Sequence, residues 1–437
     1  MSPSKYVIVA PFWKQAGHVG NYRVDRFIRW LSERGDHVIL VRAGDLDRTA
    51  QTPWGVEITV CDPFGLYRGP CTSGGPPPRQ PNRFRRSLSY VIFNPDPTIV
   101  WAHRAAVHPS VLQLARGARW VISSSPPESA HVAAARLASR IGSDLLVDMR
   151  DGWLDEPLKP LLRASGVQRW REGRLERRTL DQSRCVLVTS AGWKKLLTAR
   201  LPHLTSKITV LTNAYPPAAP PSVKPASATA EGLTLVHSGR LSGSRQSQQV
   251  GVLLDPLLAG VKAGTRPKGT ILFLGSLSRQ DLDALTGYQH RFQEWGWQIM
   301  TQAAVPRDEM LNRLAVSDGL LLLSASNAAI PSKTFEYIVT RKPVLAVCPE
   351  ESSVWQMTRD LPQFFPVACG SDAQGAKDAV NGFLAACSAG CSQVELPPEY
   401  AEEHLKTIFL AQLSTGSTLA DAGACGHVRS HMASVGS

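Results

Sequence analysis

Cations and carboxylates that could grip a phosphate ester fall in two short stretches, each following an apolar run. The first is Ser238–Arg245 (SGRLSGSR), directly after LTLVH. A strand leading into a Gly-rich turn exposes backbone N–H groups, and a following helix aims its positive end there. Gly239 belongs to that turn, and Arg240 and Arg245 add planar guanidinium forks suited to phosphate oxygens. The competing reading is a solvated loop with two exposed arginines. The second stretch is Ile330–Tyr337 (IPSKTFEY), after GLLLL. Pro331 and Ser332 suit the start of a helix. Lys333 then opposes the helix dipole, which is tolerable with an anion alongside. Glu336, about a turn further on, could accept both hydroxyls of a ribose; an ordinary capped helix is the alternative.

The N-terminal half offers three more constellations. Ser123–His131 (SSSPPESAH) is a small, polar, proline-bearing turn that places His131 near a helix start, where it could donate to a sugar hydroxyl or phosphate, or simply sit on the surface. Asp148–Trp153 (DMRDGW) puts two carboxylates, a guanidinium and an indole at the end of the run DLLVD. Asp151 could act as general base for an acceptor hydroxyl; alternatively, Asp148 and Arg150 form a structural ion pair. Gly17–Gly20 (GHVG) could admit a substrate close to the backbone, and it is not a nicotinamide GxGxxG fingerprint. Arginines 169, 171, 174, 177 and 178, interleaved with Trp170 and Leu175, read as a solvated helix whose Glu172 and Glu176 pair the arginines, or as a basic face for anionic lipid.

Alternating short apolar runs and amphipathic stretches position these residues. Tyr6–Ala10, His37–Val41, Thr98–Ala102, Trp120–Ser123, Asp144–Asp148, Cys185–Thr189 and Ile208–Leu211 read as strands. Asn21–Arg34 (stopped by Gly35), Val107–Ala115, Ser129–Arg140 and Gln168–Leu180 read as helices. Residues 63–95, rich in Gly, Pro and Arg, read as an irregular excursion. Residues 216–232, with five prolines, read as a linker. A second set follows with strands at Leu233–His237, Thr270–Leu274, Trp297–Thr301, Gly319–Leu323 and Pro343–Cys348, and a terminal helix at Tyr400–Leu413. The alternation predicts an α/β chain of two Rossmann-like, doubly wound domains facing a central cleft. The expected units are an N-terminal Rossmann-like domain at 1–215, the linker 216–232, a C-terminal Rossmann-like domain at 233–396, a terminal helix at 397–413 and a disordered tail at 414–437. SHMAS at Ser430–Ser434 looks like a cloning scar.

The bulk composition agrees. Hydrophobic residues make up 43% and charged residues 19% of 437, a globular balance that argues against global disorder. No apolar run reaches the ~20 residues that span a bilayer, and the start lacks the pattern of a secretory signal, so a cytoplasmic location is expected. Eight scattered cysteines form no CxxC pair and no zinc spacing; no metal is expected, and Cys185 and Cys348 read as core residues. The formal charge of +12 favours anionic partners.

Taken in order, SSSPPESAH, DMRDGW, LERR at Leu175–Arg178, LTNAY at Leu211–Tyr215, SGRL, IPSKTFEY and KPVLA at Lys342–Ala346 resemble bacterial glycosyltransferases of the GT-B fold, the family 4-like group that builds surface polysaccharides. The resemblance covers residues 6 to 350. It implies a nucleotide-sugar donor as substrate, no other cofactor, and an acceptor that is a saccharide, a lipid-linked sugar or a small molecule. It implies that Arg240 and Arg245, with Gly239 and Lys333, hold the donor diphosphate, that Glu336 binds the ribose and that Ser332 faces the nucleotide. His131 and Asp151 would be catalytic, with Gly17 and Arg150 beside them on the acceptor side. The resemblance makes 1–215 the acceptor-side domain and 233–396 the nucleotide-sugar-binding domain, and the final helix would cross back to the N-terminal domain. The chain departs from the pattern at Ala328, where many members carry a first glutamate, and at Arg245, where lysine is common. In a retaining enzyme the leaving diphosphate assists the acceptor proton; in an inverting one Asp151 is the candidate base. The competing functions are a secondary-metabolite glycosyltransferase, a sugar-nucleotide epimerase, a catalytically degenerate partner subunit and, last, a nucleic-acid binder, for which no recognised module is present.

Overall fold

A computed structural model describes residues 3–15, 20–66, 93–156, 166–215, 232–241, 250–262, 268–369, 373–390 and 394–414. The expectations at Gly17, Arg245, residues 216–231 of the linker and the tail beyond 414 lie outside the described residues.

The N-terminal half runs β1 (Lys5–Val9), α1 (Asn21–Glu33), β2 (His37–Gly44), β3 (Arg48–Thr52), β4 (Gly55–Cys61), α2 (Ile99–Ala105), α3 (Pro109–Ala115), β5 (Trp120–Ser125), α4 (Ser129–Ile141), β6 (Asp144–Met149), α5 (Gly166–Gln182), β7 (Cys185–Val188), α6 (Ala191–Arg200) and β8 (Ile208–Val210). Its eight strands are ordered β3-β4-β2-β1-β5-β6-β7-β8, parallel except for the β3–β4 hairpin. The C-terminal half runs β9 (Leu233–Ser238), α7 (Val250–Lys262), β10 (Gly269–Leu274), α8 (Arg279–Gln293), β11 (Trp297–Gln302), α9 (Arg307–Val316), β12 (Gly319–Leu323), α10 (Lys333–Thr340), β13 (Val344–Cys348), α11 (Ser353–Thr358), β14 (Phe364–Ala368), α12 (Ala373–Ala389) and α13 (Glu402–Ser414). Its six strands are all parallel, in the order β11-β10-β9-β12-β13-β14. Reading outward from β9, this is the 3-2-1-4-5-6 order of a doubly wound sheet.

Strands buried on both faces explain the continuous apolar runs. In β1, Val7 and Val9 join one core while Tyr6 and Ile8 join the core on the opposite face. All five residues of β12 are buried. Helix α13 closes the N-terminal sheet. Phe409 stacks on Phe27 with ring centroids 4.4 Å apart, and the Trp120 indole donates to the Leu413 carbonyl at 3.2 Å.

One predicted strand is a helix. Thr98–Ala102 is an apolar, β-branched run, which periodicity alone cannot separate from a buried helix segment. Asp96 fixes the entry to the helix by accepting from the Thr98 N–H at 2.8 Å and from Ser129 at the start of α4. Ile99, Trp101, Ala102 and Ala105 then form the inner face of α2. The β3–β4 hairpin and β14 were not anticipated.

Candidate active site

Both sheets reverse strand order between neighbouring strands, β1 and β5 in the first and β9 and β12 in the second, and ligands of such sheets bind at the carboxyl ends there. In the C-terminal half, β9 ends at Ser238 and the chain turns through Gly239 at φ +84°. The Gly239 N–H donates to Leu274 O at 2.7 Å, and the Gly239 carbonyl lies where a Cβ on Gly275 would be only 2.4 Å away. Two glycines therefore let the ends of β9 and β10 pass at backbone contact.

Lys333, first residue of α10, reaches into this turn. Its Nζ lies 3.1 Å from His237 Nε2 and 3.4 Å from Arg240 O. His237 Nδ1 lies 2.9 Å from the Leu321 carbonyl, which only accepts. Nδ1 therefore carries the ring proton, and Nε2 accepts from Lys333. Burial, reinforced by Lys333, pushes His237 down to about 3, so the ring is neutral. Burial likewise lowers Lys333 to about 7, opposed by the Glu336 carboxylate. The outcome is a partly desolvated amine beside a glycine turn, with the exposed Arg240 alongside.

Glu336, one turn along α10, pairs with Arg307 at 3.2 Å. Burial raises its carboxyl, and Arg307 offsets that. The Arg307 guanidinium lies 4.4 Å from the Tyr22 ring of α1, so this pair reaches the N-terminal half. The Tyr337 hydroxyl accepts from the Ser238 N–H at 2.9 Å and fixes α10 against β9. Ser332 occupies the N-cap position of α10 with helical backbone angles and no capping bond from its side chain.

On the facing half, the carboxyl ends of β5 and β6 are joined by Arg150. Its Nε donates to Ser125 O and its terminal nitrogen to Pro126 O at 3.4 Å. Its guanidinium fills the space over Gly20, where a Cβ would stand 1.8 Å from it. Burial lowers the Arg150 pKa, opposed by Asp151 and Asp148. Asp151 stays half-exposed beside it.

Three expectations change. Asp148 does not pair with Arg150: it is buried and takes a bidentate grip from Arg23, with contacts of 2.7 to 3.0 Å, plus the Ser124 hydroxyl at 2.8 Å. Arg23 can do this because α1 leans on β6, and it also donates to the Leu211 and Thr212 carbonyls. His131 is 0% exposed, bonded to Ser123 Oγ at 2.8 Å and packed on Trp153. A ring so enclosed shapes the Asp148–Trp153 loop from beneath instead of touching an acceptor. Glu172 and Glu176 do not pair the arginines of their own helix. Both are fully buried on the inner side of α5, Glu172 accepting from the Trp153 indole at 3.0 Å and Glu176 from Arg200 at 2.7 Å.

The halves touch where the chain departs from the family pattern. Ala328 and Ala329 belong to the N-terminal core. Ser190 Oγ donates to Ala328 O at 2.5 Å, and the Gly192 N–H to Ser353 Oγ at 3.2 Å. A Cβ on Gly192 would lie 2.6 Å from Ala328 Cα. Sequence reading missed His237, Arg307, Ser190 and Gly192. Only His237 carried a local signal, as the polar residue closing LTLVH just before the Gly-Arg turn.

Among the described residues no group of three His, Cys, Asp or Glu side chains could hold a metal ion, and no helix is long and apolar enough to cross a membrane.

Residues 20–214 match the model of the glycosyl transferase 4-like domain. No curated protein matches the chain in sequence. Among solved structures, trehalose 6-phosphate synthase from Burkholderia multivorans superposes with a TM-score of 0.60 at 11% identity, covering 98% of this chain and 99% of that one. Sucrose-phosphate synthase from Thermosynechococcus elongatus gives 0.55 at 13%, covering 94% and 100%. The Anabaena protein HepE, solved with UDP and glucose, gives 0.53 at 13%, covering 94% and 100%. The chain thus has the GT-B architecture of two Rossmann-like domains. Its N-terminal half carries a glycosyl transferase 4-like domain.

Proposed function

We propose that this enzyme moves a sugar from a nucleoside-diphosphate donor to an acceptor hydroxyl in cell-surface polysaccharide or glycolipid assembly, at the cytoplasmic face and in peripheral contact with anionic membrane. The observation that carries the donor half is the Lys333 ammonium, set 3.1 Å from a neutral His237 at the Gly239–Arg240 turn. A half-buried amine with no carboxylate in hydrogen-bond contact gains when an anion arrives. Lys333, Arg240, Arg245 and the Gly239 backbone would hold the diphosphate, with Ser332 facing the nucleotide. Glu336 would bind the ribose, with Arg307 fixing its carboxylate. These groups would stabilise charge growing on the leaving diphosphate with no metal.

Asp151 is the base if the reaction inverts configuration. If it retains configuration, the leaving diphosphate takes the acceptor proton. Arg150 would serve the acceptor side, as the resemblance implies for Gly17 too, and His131 positions the loop that carries Asp151. The surface-polysaccharide assignment rests on the ordered motifs from SSSPPESAH to KPVLA. Release of UDP, GDP or dTDP from a panel of nucleotide sugars with mixed acceptors tests the activity. Titration calorimetry of Arg240→Ala with the nucleoside diphosphate tests the site: affinity should fall at least tenfold as a charge-assisted contact is lost, and unchanged affinity refutes it.

A further inference from the structure

The inward turn of Glu172 and Glu176 leaves the outer face of α5 without its own acids. Among the described residues Arg169, Arg171, Arg174, Arg177 and Arg178 are all exposed, and none has an acidic partner within ion-pair distance. Arg171, Arg174, Arg177 and Arg178 recur at the three- and four-residue spacing that lines one side of a helix. Val167 and Trp170 stand in the same row at 70% and 63% exposure, with Arg174 5.8 Å from the Trp170 ring.

The basic face continues onto α4. Arg136 and Arg171 line one groove, whose floor is Phe93, Val132 and Leu175. Arg140 and Arg178 both depress the Arg136 pKa, after burial, so positive charge is concentrated here.

We propose that the outer face of α5, extended by Arg136 and Arg140 of α4, docks on the surface of a bilayer rich in anionic lipid. This deepens the membrane part of the function above and does not depend on its chemistry. Charge complementarity names the occupant. Arginines would meet lipid phosphates while Val167 and Trp170 enter the headgroup–acyl boundary, the arrangement of an interfacial amphipathic helix. A polyanion with no apolar layer would leave Val167 and Trp170 in water. The consequence for the enzyme is positional. The inner side of α5 holds the acceptor loop through Glu172 to Trp153 and Glu176 to the Leu154 N–H. Docking therefore sets the Asp151 loop a helix thickness from the lipid surface, where a lipid-linked acceptor presents its sugar.

The test is sedimentation of the full-length protein with vesicles of phosphatidylcholine alone or with about one-third phosphatidylglycerol, in low and physiological salt, without substrate. Binding should require the anionic lipid and weaken with salt. Arg171→Gln/Arg174→Gln/Arg178→Gln should lose roughly a hundredfold in vesicle affinity, at about fivefold per neutralised arginine. Trp170→Ala should weaken binding and abolish any blue shift of tryptophan emission on docking. Thermal unfolding checks that the variants fold. If the triple variant does not, Arg174→Gln/Arg178→Gln takes its place, with about a twentyfold loss expected. Binding to neutral and anionic vesicles alike, no binding by the wild type, full binding by the arginine variants, or tighter binding to short RNA than to vesicles each overturns the proposal. None of these outcomes bears on whether the enzyme turns over a nucleotide sugar.

Discussion

The Lys333 side chain donates to the neutral imidazole of His237, so its ammonium is held by an acceptor that carries no negative charge. Burial lowers Lys333 to about 7, with Glu336 opposing, and holds His237 at about 3, outside the working range. A bound diphosphate favours the ammonium, so binding takes up a proton once the empty site has begun to lose it. Affinity for a nucleotide sugar, whose diphosphate does not itself titrate here, should fall as pH rises from 7 to 9. Lys333→Arg should flatten the slope, and Lys333→Ala should cost at least tenfold at pH 7. Calorimetry in buffers of different ionisation heat reads the proton directly; a pH-independent wild type would remove Lys333 from the diphosphate site. The stability sign runs the other way. The folded pKa lies below the unfolded value, so the empty protein should gain stability as pH rises from 7 towards 10.5.

Arg23 and Asp148 form the buried ion pair that ties α1 to the end of β6. Their side chains are 4% and 0% exposed. Removing one partner strands the other charge, which typically costs about 3–5 kcal/mol. Asp148→Ala should lose about that much in urea unfolding, and Arg23→Met a comparable amount. Loss of under 1 kcal/mol in both would show that water reaches the pair.

How much of this was legible in sequence follows from the range of the forces involved. Strands buried on both faces write themselves as continuous apolar runs, so LTLVH, GLLLL and PVLAVC could be placed within a residue or two. Turns after them are local as well, which is why Gly239, Lys333 and Glu336 emerge at one carboxyl edge. Partners brought together by tertiary packing leave no such trace. Asp148 stood two residues from Arg150, yet its partner is Arg23, 125 positions away in sequence. Arg307 reaches Glu336 from the start of another helix. Helix α5 shows the same limit: five arginines and two glutamates suggested pairing along the helix, but which side faced the protein depended on Trp153 and Arg200.

Gly192 and Ala328 set how closely the two halves approach. Gly192→Ala would place a Cβ 2.6 Å from Ala328 Cα and 2.5 Å from Ser353 Oγ. Backbone cannot yield at that distance, so the contact should open. Small-angle scattering should give a larger radius of gyration, with a raised KM for both substrates and secondary structure unchanged. Ser353→Ala, which removes the Gly192 hydrogen-bond acceptor without adding bulk, should have a smaller effect. A Gly192→Ala enzyme with wild-type scattering and KM would show that this contact does not limit closure.

Asp151 divides the two stereochemical courses. It is half-exposed beside Arg150, and no described residue hydrogen-bonds its carboxylate, so an acceptor hydroxyl could be its first partner. Arg150 is committed to the Ser125 and Pro126 carbonyls and serves to hold the loop. As a general base Asp151 would contribute about 10²–10⁴-fold to the rate. Asp151→Asn keeps the shape and removes the basicity, so kcat should fall by that factor while the donor KM stays put. Anomeric analysis of the product by NMR should then show inversion. If Asp151→Asn stays within threefold of wild type and the product keeps the donor's configuration, the departing diphosphate takes the proton, and the Lys333–Arg240 cluster becomes the whole catalytic apparatus.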